Sequence, residues 1–252
     1  MTPRFSIITV CFNAEQSIGK TVESMAAQTF RDFEYIVVDG ASRDNTLDVA
    51  RSHLTFPATI MSEKDHGIYD AMNKGIACAQ GEIVYFLNAD DYFENDSVLE
   101  RIADAFATNG EPQLLFGNVI YQYPEGQKHR SFRHITPGNL VFLDVNHQAT
   151  FAKRSLFNQM GSFDLRFRLN ADYDFLLRCL HGKASYCWVD VDIARFNAGG
   201  RHVQDVAFLQ TERKAVRRQY VSPLGYKVGT LAHKLSHKIR RAAGMLGLRE
   251  QV

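Results

Sequence analysis

Short apolar runs alternate with longer amphipathic stretches through the first 110 residues of the chain. Each run has the length of a β-strand, and the stretch after it repeats apolar side chains at the spacing of an α-helix. The predicted strands are Phe5–Val10, Phe33–Val38, Ala58–Met61 and Ile83–Leu87. The helices predicted after them begin near Ile18, Thr46, Ile68 and Val98. Because neighbouring parallel strands need such crossovers, the pattern predicts an α/β fold with a mainly parallel central sheet flanked by helices.

The second half of the chain follows a different pattern. Its predicted elements are a strand, the hairpin partner of that strand and two helices, at Leu114–Tyr121, Lys128–Phe132, Lys153–Gln159 and Ala171–His181. No repeat, low-complexity tract or linker divides the chain. We therefore expect one domain over residues 1–205, built from halves at 1–110 and 111–205, followed by a C-terminal helical extension over 206–252.

Bulk properties restrict the class of protein. The chain of 252 residues carries a formal net charge of +1, so it has no overall attraction to nucleic acid. Its four cysteines show no metal-ligand spacing, and no apolar stretch approaches the roughly 20 residues that a membrane span needs. We therefore expect a cytoplasmic protein with reduced thiols and no nucleic-acid partner.

Basic residues are concentrated in the C-terminal extension. From Tyr226 to Leu246, apolar residues recur at helical spacing, and lysines and arginines occupy many of the positions between them. A basic amphipathic helix of this kind can bind an anionic membrane, which would make the protein peripheral on the inner face of that membrane. The same pattern fits a terminal helix that docks on its own domain or on a second subunit equally well.

Polar residues follow the ends of the predicted strands. Asn88, Asp90 and Asp91 come directly after the fourth strand, where their oxygens could hold a hard divalent cation or an aspartate could cap the next helix. Asp39 follows the second strand, and its carboxylate is placed to accept hydrogen bonds from a base or from ribose hydroxyls. Ligands of open α/β sheets bind beyond the carboxyl ends of the strands, so these ends predict one polar pocket.

Two common nucleotide-binding loops do not occur in the sequence. No Gly-x-Gly-x-x-Gly follows the first strand, and there is no Walker-type loop with Lys before Ser or Thr. A dinucleotide-binding enzyme and a P-loop phosphotransferase are therefore disfavoured. A diphosphate in the predicted pocket would need another source of positive charge, and a divalent metal, Mn²⁺ or Mg²⁺, near Asp90 would supply it.

The polar strand ends belong to four longer motifs. They are Phe5-Ser-Ile-Ile-Thr-Val-Cys-Phe-Asn13, Val37-Val-Asp-Gly-Ala-Ser-Arg-Asp-Asn-Thr46, Ser62-Glu-Lys-Asp-His-Gly-Ile-Tyr-Asp-Ala-Met-Asn-Lys-Gly75 and Phe86-Leu-Asn-Ala-Asp-Asp91. In this order the chain resembles the family 2 glycosyltransferases, and the third motif resembles transferases of bacterial exopolysaccharide and colanic-acid-type assembly. The resemblance implies a GT-A type fold with a nucleotide-binding half at 1–110 and an acceptor half at 111–205.

The resemblance also implies roles for the matching residues. Those implied to bind the donor nucleotide are Thr9, Phe12, Asp39, Asp65, Asn73 and Asp91. Asp90 matches the last acid of the family's Asp-x-Asp motif, which coordinates the metal that bridges the diphosphate. Asn88 stands at the first position of that motif, where it carries no charge but can still supply a neutral oxygen ligand.

The second half supplies a candidate base. Asp172 and Asp174 begin the predicted helix at 171–181, and their spacing directs them to different sides of it. The resemblance implies that Asp172 takes the proton of an acceptor hydroxyl that attacks the anomeric carbon, and simple helix capping is the alternative. The implied reaction is an inverting transfer from a nucleotide-diphosphate sugar to a saccharide or lipid-linked acceptor, in the assembly of cell-surface polysaccharide.

Three further residues are candidates for contact with the donor or the acceptor sugar. His147 could touch either sugar or be a structural histidine. Arg195 and the segment Gly199-Gly-Arg-His202 resemble the late loop that closes over donor phosphates in this family. Arg201 and His202 stand where that loop has small and hydroxyl residues.

Two other functions are compatible with such a fold. A nucleotidyltransferase would attack phosphorus, but it usually needs a basic loop near the first strand, and Thr9–Asn13 contains no Lys or Arg. A non-catalytic carbohydrate-binding protein would keep the pocket without a working base. The leaving group distinguishes the two enzymes, because sugar transfer releases nucleoside diphosphate and nucleotidyl transfer releases pyrophosphate.

Overall fold

The computed structural model of the chain describes residues 2–143, 145–199, 206–222 and 224–230. Its strands are β1 (Phe5–Cys11), β2 (Phe33–Asp39), β3 (Thr59–Ser62), β4 (Ile83–Phe86), β5 (Tyr92–Phe93), β6 (Leu114–Tyr123), β7 (Gly126–Ser131), β8 (Thr150–Lys153) and β9 (Tyr186–Asn197). Its α-helices are α1 (Ile18–Ala26), α2 (Thr46–His53), α3 (Ile68–Cys78), α4 (Val98–Thr108), α5 (Arg154–Met160), α6 (Ala171–His181) and α7 (Val206–Arg217). Short 3-10 helices cover Leu140–Phe142 and His147–Ala149.

Within the described residues, all strands join one sheet in the order β3-β2-β1-β4-β8-β6-β9-β5, with β7 paired to β6. The first four strands are parallel, as the sequence predicts. The register pairs Cys11 with Asp39 and Asp39 with Ser62, so the polar ends of these strands lie side by side. The predicted common edge therefore exists.

The second half makes the sheet mixed rather than uniformly parallel. β8 runs antiparallel to both β4 and β6, β5 runs antiparallel to β9, and only β9 runs parallel to β6. The predicted hairpin is present as β6 and β7, although β7 begins at Gly126. The sequence predicts neither β5, which has only two residues, nor β8, a four-residue strand that ends where α5 begins.

Both faces of the sheet are covered by helices. Ile7 of β1 faces a core that α1 and α4 complete, and the next residue, Ile8, faces a second core under α3, α5 and α6. β1 is buried at every position, which explains why it appears in the sequence as a continuous apolar run. The strand is therefore packed on both faces, and the polar residues that follow the strand ends lie at the open edge of the sheet.

The C-terminal part of the chain is attached to the domain through α7. Glu212 and Val216 of this helix are buried, and Val216 belongs to the core that also contains α6. The backbone is helical again at 224–230. Most of the predicted basic helix, and the predicted sugar-contact residue His202, lie outside the described residues. Among the helices that are described, none has both the length and the apolar character needed to span a membrane.

Candidate active site

A cavity of about 860 Å³ opens beyond the carboxyl ends of β1 and β4. Both halves of the chain contribute to its wall. The charged, polar and aromatic side chains that line it include Phe12, Asp65, Asn88 and Asp90 from the first half and His147, Arg168, Asp172 and Arg213 from the second. Phe12 is an aromatic side chain of the first half on this wall, and it is 42% exposed. The structure thus brings together six predicted site residues, which are Phe12, Asp65, Asn88, Asp90, His147 and Asp172.

Asp39 lies behind the nucleotide end of the cavity rather than on its surface. Its carboxylate is fully buried and accepts hydrogen bonds from the Ser62 hydroxyl at 2.7 Å, from the Ser42 backbone N–H at 3.0 Å and from the Ser42 hydroxyl. Asp65 packs directly over Gly40, where any side chain would collide with its carboxylate. The position of Asp65 on the wall therefore depends on Gly40 and on the turn that Asp39 holds.

Thr9 and Asn73, which are also predicted to bind the nucleotide, do not line the cavity either. The Thr9 hydroxyl is fully buried, donates to the Leu87 carbonyl at 2.7 Å and lies 2.8 Å from the Tyr35 hydroxyl. Asn73 exchanges two hydrogen bonds of 2.9 Å with the backbone of Phe163. Thr9 therefore joins the ends of the parallel strands, and Asn73 fastens the segment before α6 onto α3.

Asp91 and Arg195 also lie away from the cavity surface. Asp91 is fully buried and accepts hydrogen bonds from the Asn197 backbone at 2.8 Å and from the Gln148 side chain at 2.6 Å. Burial and the neighbouring charge of Asp90 raise the pKa of Asp91 well above its usual range, in spite of these bonds. Arg195 forms a two-armed pair with Glu94, at 2.6 and 2.9 Å. Both residues brace the loop after β4.

Asn88 and Asp90 form the part of the site that could hold a metal. The Asn88 amide nitrogen donates to His147 Nε2 at 2.9 Å, whereas its Oδ1 is buried and makes no hydrogen bond. Asp90 lines the cavity nearby. No group of three or more histidine, cysteine or acidic side chains is placed to enclose a metal within the described part of the chain. The donor set fits a hard cation that takes one carboxylate, one amide oxygen and further oxygens from a ligand.

Asp172 stands in the first turn of α6 with 18% of its side chain exposed to the cavity. Its Oδ1 accepts hydrogen bonds from the Tyr69 hydroxyl and from the Tyr173 backbone, each at 2.8 Å. Its Oδ2 lies 3.4 Å from His147 Nδ1. Burial alone would raise the pKa of Asp172, but His147, Tyr69 and the Tyr173 backbone outweigh that effect and lower it. The carboxylate is therefore ionised at neutral pH and can accept a proton.

Asp174, the second acid at the start of α6, does not line the cavity. It is 3% exposed and pairs with Arg178, one helical turn later, at 2.8 Å. Only Asp172 therefore faces the cavity.

The start of α3 forms the wall between the nucleotide end and Asp172. Gly67 precedes the helix with φ of +121°, a backbone angle that side chains rarely allow. Its N–H donates to Asp65 at 2.9 Å, and the His66 N–H donates to Asp70 at 3.0 Å. The helix N-terminus thus faces the cavity, where its dipole favours negative charge.

The sequence does not indicate the roles of Tyr69 and of α7. Tyr69 lies within the third motif, and this position is the sequence feature that could have suggested a role for it. Its partner Asp172 is 103 positions away, so the contact between them has no local pattern. On α7, the Glu212 carboxylate accepts from the Leu169 backbone at 2.7 Å, from the Asn170 side chain at 3.0 Å and from the Arg168 backbone. Glu212 therefore holds the entry to α6 in place.

Residues 6–177, more than half of the chain, match the family model described as Glycosyl transferase family 2. The chain belongs to glycosyl transferase family 2. It is 37% identical over 204 residues to the PGL/p-HBAD biosynthesis glycosyltransferases of Mycobacterium bovis and Mycobacterium tuberculosis, an overlap of 79% of this chain and 78% of the relative. The putative glycosyltransferase EpsH of Bacillus subtilis is 31% identical over 129 residues, which are 50% of this chain and 37% of EpsH.

Solved structures show that this family 2 glycosyltransferase has the predicted GT-A type fold. The mannosyltransferase PcManGT of Pyrobaculum calidifontis, in complex with GDP-Man and Mn²⁺, matches with a TM-score of 0.68 and 20% identity, over 92% of this chain and 69% of that one. S. aureus TarS 1-349 in complex with UDP-GlcNAc matches with a TM-score of 0.67 and 20% identity, over 87% of this chain and 67% of that one. The chain spans 65% of TarS 1-349 in complex with UDP and 39% of a longer TarS chain. The predicted family, fold and glycosyltransferase activity are confirmed, and the roles of single residues stay predictions.

Proposed function

We propose that this glycosyltransferase moves a sugar from a nucleotide-diphosphate sugar to an acceptor hydroxyl with inversion at the anomeric carbon, and that Asp172 is the base. The observation that carries the proposal is the ionised carboxylate of Asp172, held by Tyr69 and His147 on the wall of a cavity that also contains Asn88 and Asp90. A base and an oxygen-rich end in one cavity are what sugar transfer from a diphosphate requires.

The donor fits the end of the cavity formed by the first half. The Phe12 ring would stack on the nucleobase of the donor. Asp65 lies beside Phe12, where its carboxylate would accept hydrogen bonds from hydroxyl groups of the donor. The diphosphate would then lie near Asp90 and the N-terminus of α3, which favours negative charge. The solved relatives with UDP, UDP-GlcNAc and GDP-Man support a donor of this class.

Asp90 and Asn88 Oδ1 would hold a divalent cation such as Mn²⁺ or Mg²⁺ together with oxygens of the diphosphate. When bound, the cation would neutralise charge on the leaving group. The buried Asn88 Oδ1 without a hydrogen-bond partner supports this role, and the solved relative with Mn²⁺ shows such an ion in another protein of this fold.

The proton transfer follows from the two oxygens of Asp172. Oδ1 already accepts two hydrogen bonds, so Oδ2 is the oxygen with capacity for the acceptor's proton. As the acceptor oxygen forms its bond to the anomeric carbon, the bond from that carbon to the diphosphate oxygen breaks on the opposite face. The proton passes to Asp172, and the nucleoside diphosphate leaves with the electron pair.

We propose a saccharide or a lipid-linked saccharide as acceptor, in cell-surface polysaccharide assembly. Leu165, Phe167 and Phe208 give the acceptor end an apolar side, and Arg168 and Arg213 add positive charge to it. The relatives named PGL/p-HBAD biosynthesis glycosyltransferase support a biosynthetic role. The basic extension supports action at an anionic membrane surface on the cytoplasmic side.

Turnover of labelled nucleotide sugars, with and without Mn²⁺, tests the proposal. Release of nucleoside diphosphate is expected, and release of pyrophosphate would show a nucleotidyltransferase instead. Asp172→Asn should lower kcat by about 100-fold to 10,000-fold, because it removes the general base. Binding of the nucleoside diphosphate should not change.

Asp174→Asn is the matched control, since Asp174 begins the same helix but pairs with Arg178 outside the cavity. It should lower stability and leave kcat close to that of the wild type. Equal kcat values for Asp172→Asn and the wild type would rule out Asp172 as the base.

A further inference from the structure

His147 lies between the two ends of the site. Its ring Nε2 is 2.9 Å from the Asn88 amide nitrogen, and its Nδ1 is 3.4 Å from Asp172 Oδ2. Since an amide nitrogen only donates, Nε2 accepts and the hydrogen of the neutral ring lies on Nδ1, the ring nitrogen nearer to the carboxylate. One side chain thus connects the residue that would hold the cation with the residue that would act as base.

Buried neighbours fix this arrangement of the ring. Gln148, which is fully buried, donates its amide N–H to Asp91 at 2.6 Å, and its side-chain oxygen accepts from the Tyr85 hydroxyl at 2.9 Å. The orientation of this amide is therefore set by partners other than His147. Its nitrogen also faces His147 Nε2, at 3.3 Å. Two amide nitrogens around Nε2 exclude a hydrogen on that atom.

The orientation of Asn88 follows from that of His147. The ring nitrogen takes the N–H end of the Asn88 amide, so the carbonyl Oδ1 is directed away from the ring, where it is buried without a hydrogen-bond partner. Buried polar atoms in native proteins nearly always have a partner, and a bound water or ion can supply it where the protein does not. Asn88 lines the cavity, so a cation beside the bound diphosphate would give Oδ1 such a partner. Asp at position 88 would offer no hydrogen to Nε2, which gives the Asn a reason to stand in the motif.

We infer that His147 is a positioning residue that aligns the two ends of the reaction, directing Asn88 Oδ1 to the diphosphate-bound cation through Nε2 and holding Asp172 Oδ2 through Nδ1. The inference rests on the proposed function. In this arrangement His147 contacts side chains of the protein, Asn88 and Asp172, and not a sugar. The imidazole ring of His147 then positions both the amide oxygen that would bind the cation and the carboxylate that would accept the proton.

Two substitutions separate the two contacts. In His147→Gln, the side-chain carbonyl can take the place of Nε2 and keep Asn88 oriented, but the contact with Asp172 is lost. In His147→Asn, the side-chain amide can take the place of Nδ1 and keep Asp172, but the contact with Asn88 is lost. His147→Leu loses both contacts.

Calorimetric titration with UDP and with GDP, in the presence and absence of Mn²⁺, measures the effect of the contact between His147 and Asn88 on Mn²⁺-dependent binding. His147→Asn and His147→Leu should weaken the Mn²⁺-dependent binding by about 10-fold to 100-fold, the range for residues that orient metal ligands, and His147→Gln should retain it. In turnover, His147→Gln should lower kcat with little change in that affinity. Losses that merely follow the thermal stability of the three variants, or a higher KM for the nucleotide sugar with unchanged UDP and GDP binding, would overturn the inference.

The tautomer is a readout that does not depend on activity. In protein with ¹⁵N-labelled histidine at neutral pH, the His147 signals, identified by their absence in His147→Leu, should show hydrogen on Nδ1. They should shift in Asn88→Leu. Hydrogen on Nε2 would overturn the inference even in an active enzyme. Lack of turnover by the wild type on any nucleotide sugar, with the expected tautomer present, would instead count against the proposed function.

Discussion

One oxygen of Asp172 carries two short hydrogen bonds, and the other faces the cavity with a single, longer contact. The Tyr69 hydroxyl supplies one of the two short bonds and stabilises the ionised form of the carboxylate. Tyr69 also helps to lower the pKa of Asp172, against the opposing effect of burial. At the scale of single residues, His147 lowers this pKa more than Tyr69 does, so Tyr69 is the second side chain that sets how far into acid the proposed base stays ionised.

Tyr69→Phe should move the acidic limb of the pH profile of kcat/KM to higher pH. The change removes a hydrogen bond that lowers the pKa of Asp172, so that pKa rises and the base is lost by protonation at a higher pH. At neutral pH, kcat should fall about 10-fold, in line with the loss of a hydrogen bond to a charged group. Tyr173→Phe is the control, since its hydroxyl bonds the backbone of Leu140 and Val141 and its N–H is kept. An acidic limb that stays in place would show that Tyr69 does not tune Asp172.

The same residues show what one sequence can and cannot predict. Asp90 follows from a motif position and Asp172 from the resemblance to the family, and the structure places both on the cavity wall. Thr9 and Asp91 match motif positions too, yet neither lines the cavity, because successive residues of an extended chain point to opposite sides. A motif identifies the end of a strand, but the direction of each side chain there depends on packing between segments far apart in the sequence.

At the scale of elements, α7 fixes the entry to α6. The helix cap residue, Asn170, makes no capping bond with its own side chain, and Glu212 from α7 binds the backbone just before it. A carboxylate near a helix N-terminus is also favourable for the helix dipole. The sequence predicts α6 with its observed bounds, Ala171–His181, because its apolar spacing is local. The support from α7 is long-range, and no local pattern reveals it.

Glu212→Gln should destabilise the protein and misplace Asp172. The substitution removes the charge and turns one acceptor oxygen into a nitrogen that faces a donor, which costs about 1–3 kcal/mol. For a chain of this size, that corresponds to a fall in Tm of about 2–4 °C for each kcal/mol. Because Asp172 follows two residues after Asn170, kcat should fall as well, below the temperature of unfolding.

The matched control is Gln210→Ala on the exposed side of α7, which should leave both Tm and kcat close to those of the wild type. Thermal melts and initial rates on the same samples measure the two effects. A Glu212→Gln variant with a lower Tm but an unchanged kcat would show that α7 supports the fold without positioning the base.

At the scale of the whole molecule, the site exists only where the two halves of the chain meet. The parallel half supplies Asp65, Asn88 and Asp90, and the mixed half supplies His147 and Asp172. A ligand that bridges these contributions joins the halves and binds the folded state alone. Such a ligand must raise the stability of the entire domain by mass action.

Nucleoside diphosphate and Mn²⁺ together should therefore raise the Tm more than the sum of their separate effects. At a ligand concentration of 100 times the Kd, binding stabilises the folded state by about 2.7 kcal/mol. This corresponds to a rise in Tm on the order of 5–10 °C for a chain of this size. UDP and GDP are the probes, measured with and without Mn²⁺. Asp90→Asn should remove the part of the rise in Tm that depends on Mn²⁺. It should keep the part that nucleoside diphosphate produces alone, because Phe12 and Asp65 are unchanged. An equal rise with and without Mn²⁺ in the wild type would show that the diphosphate is held without a cation, and that the N-terminus of α3 and the arginines of the second half neutralise it instead.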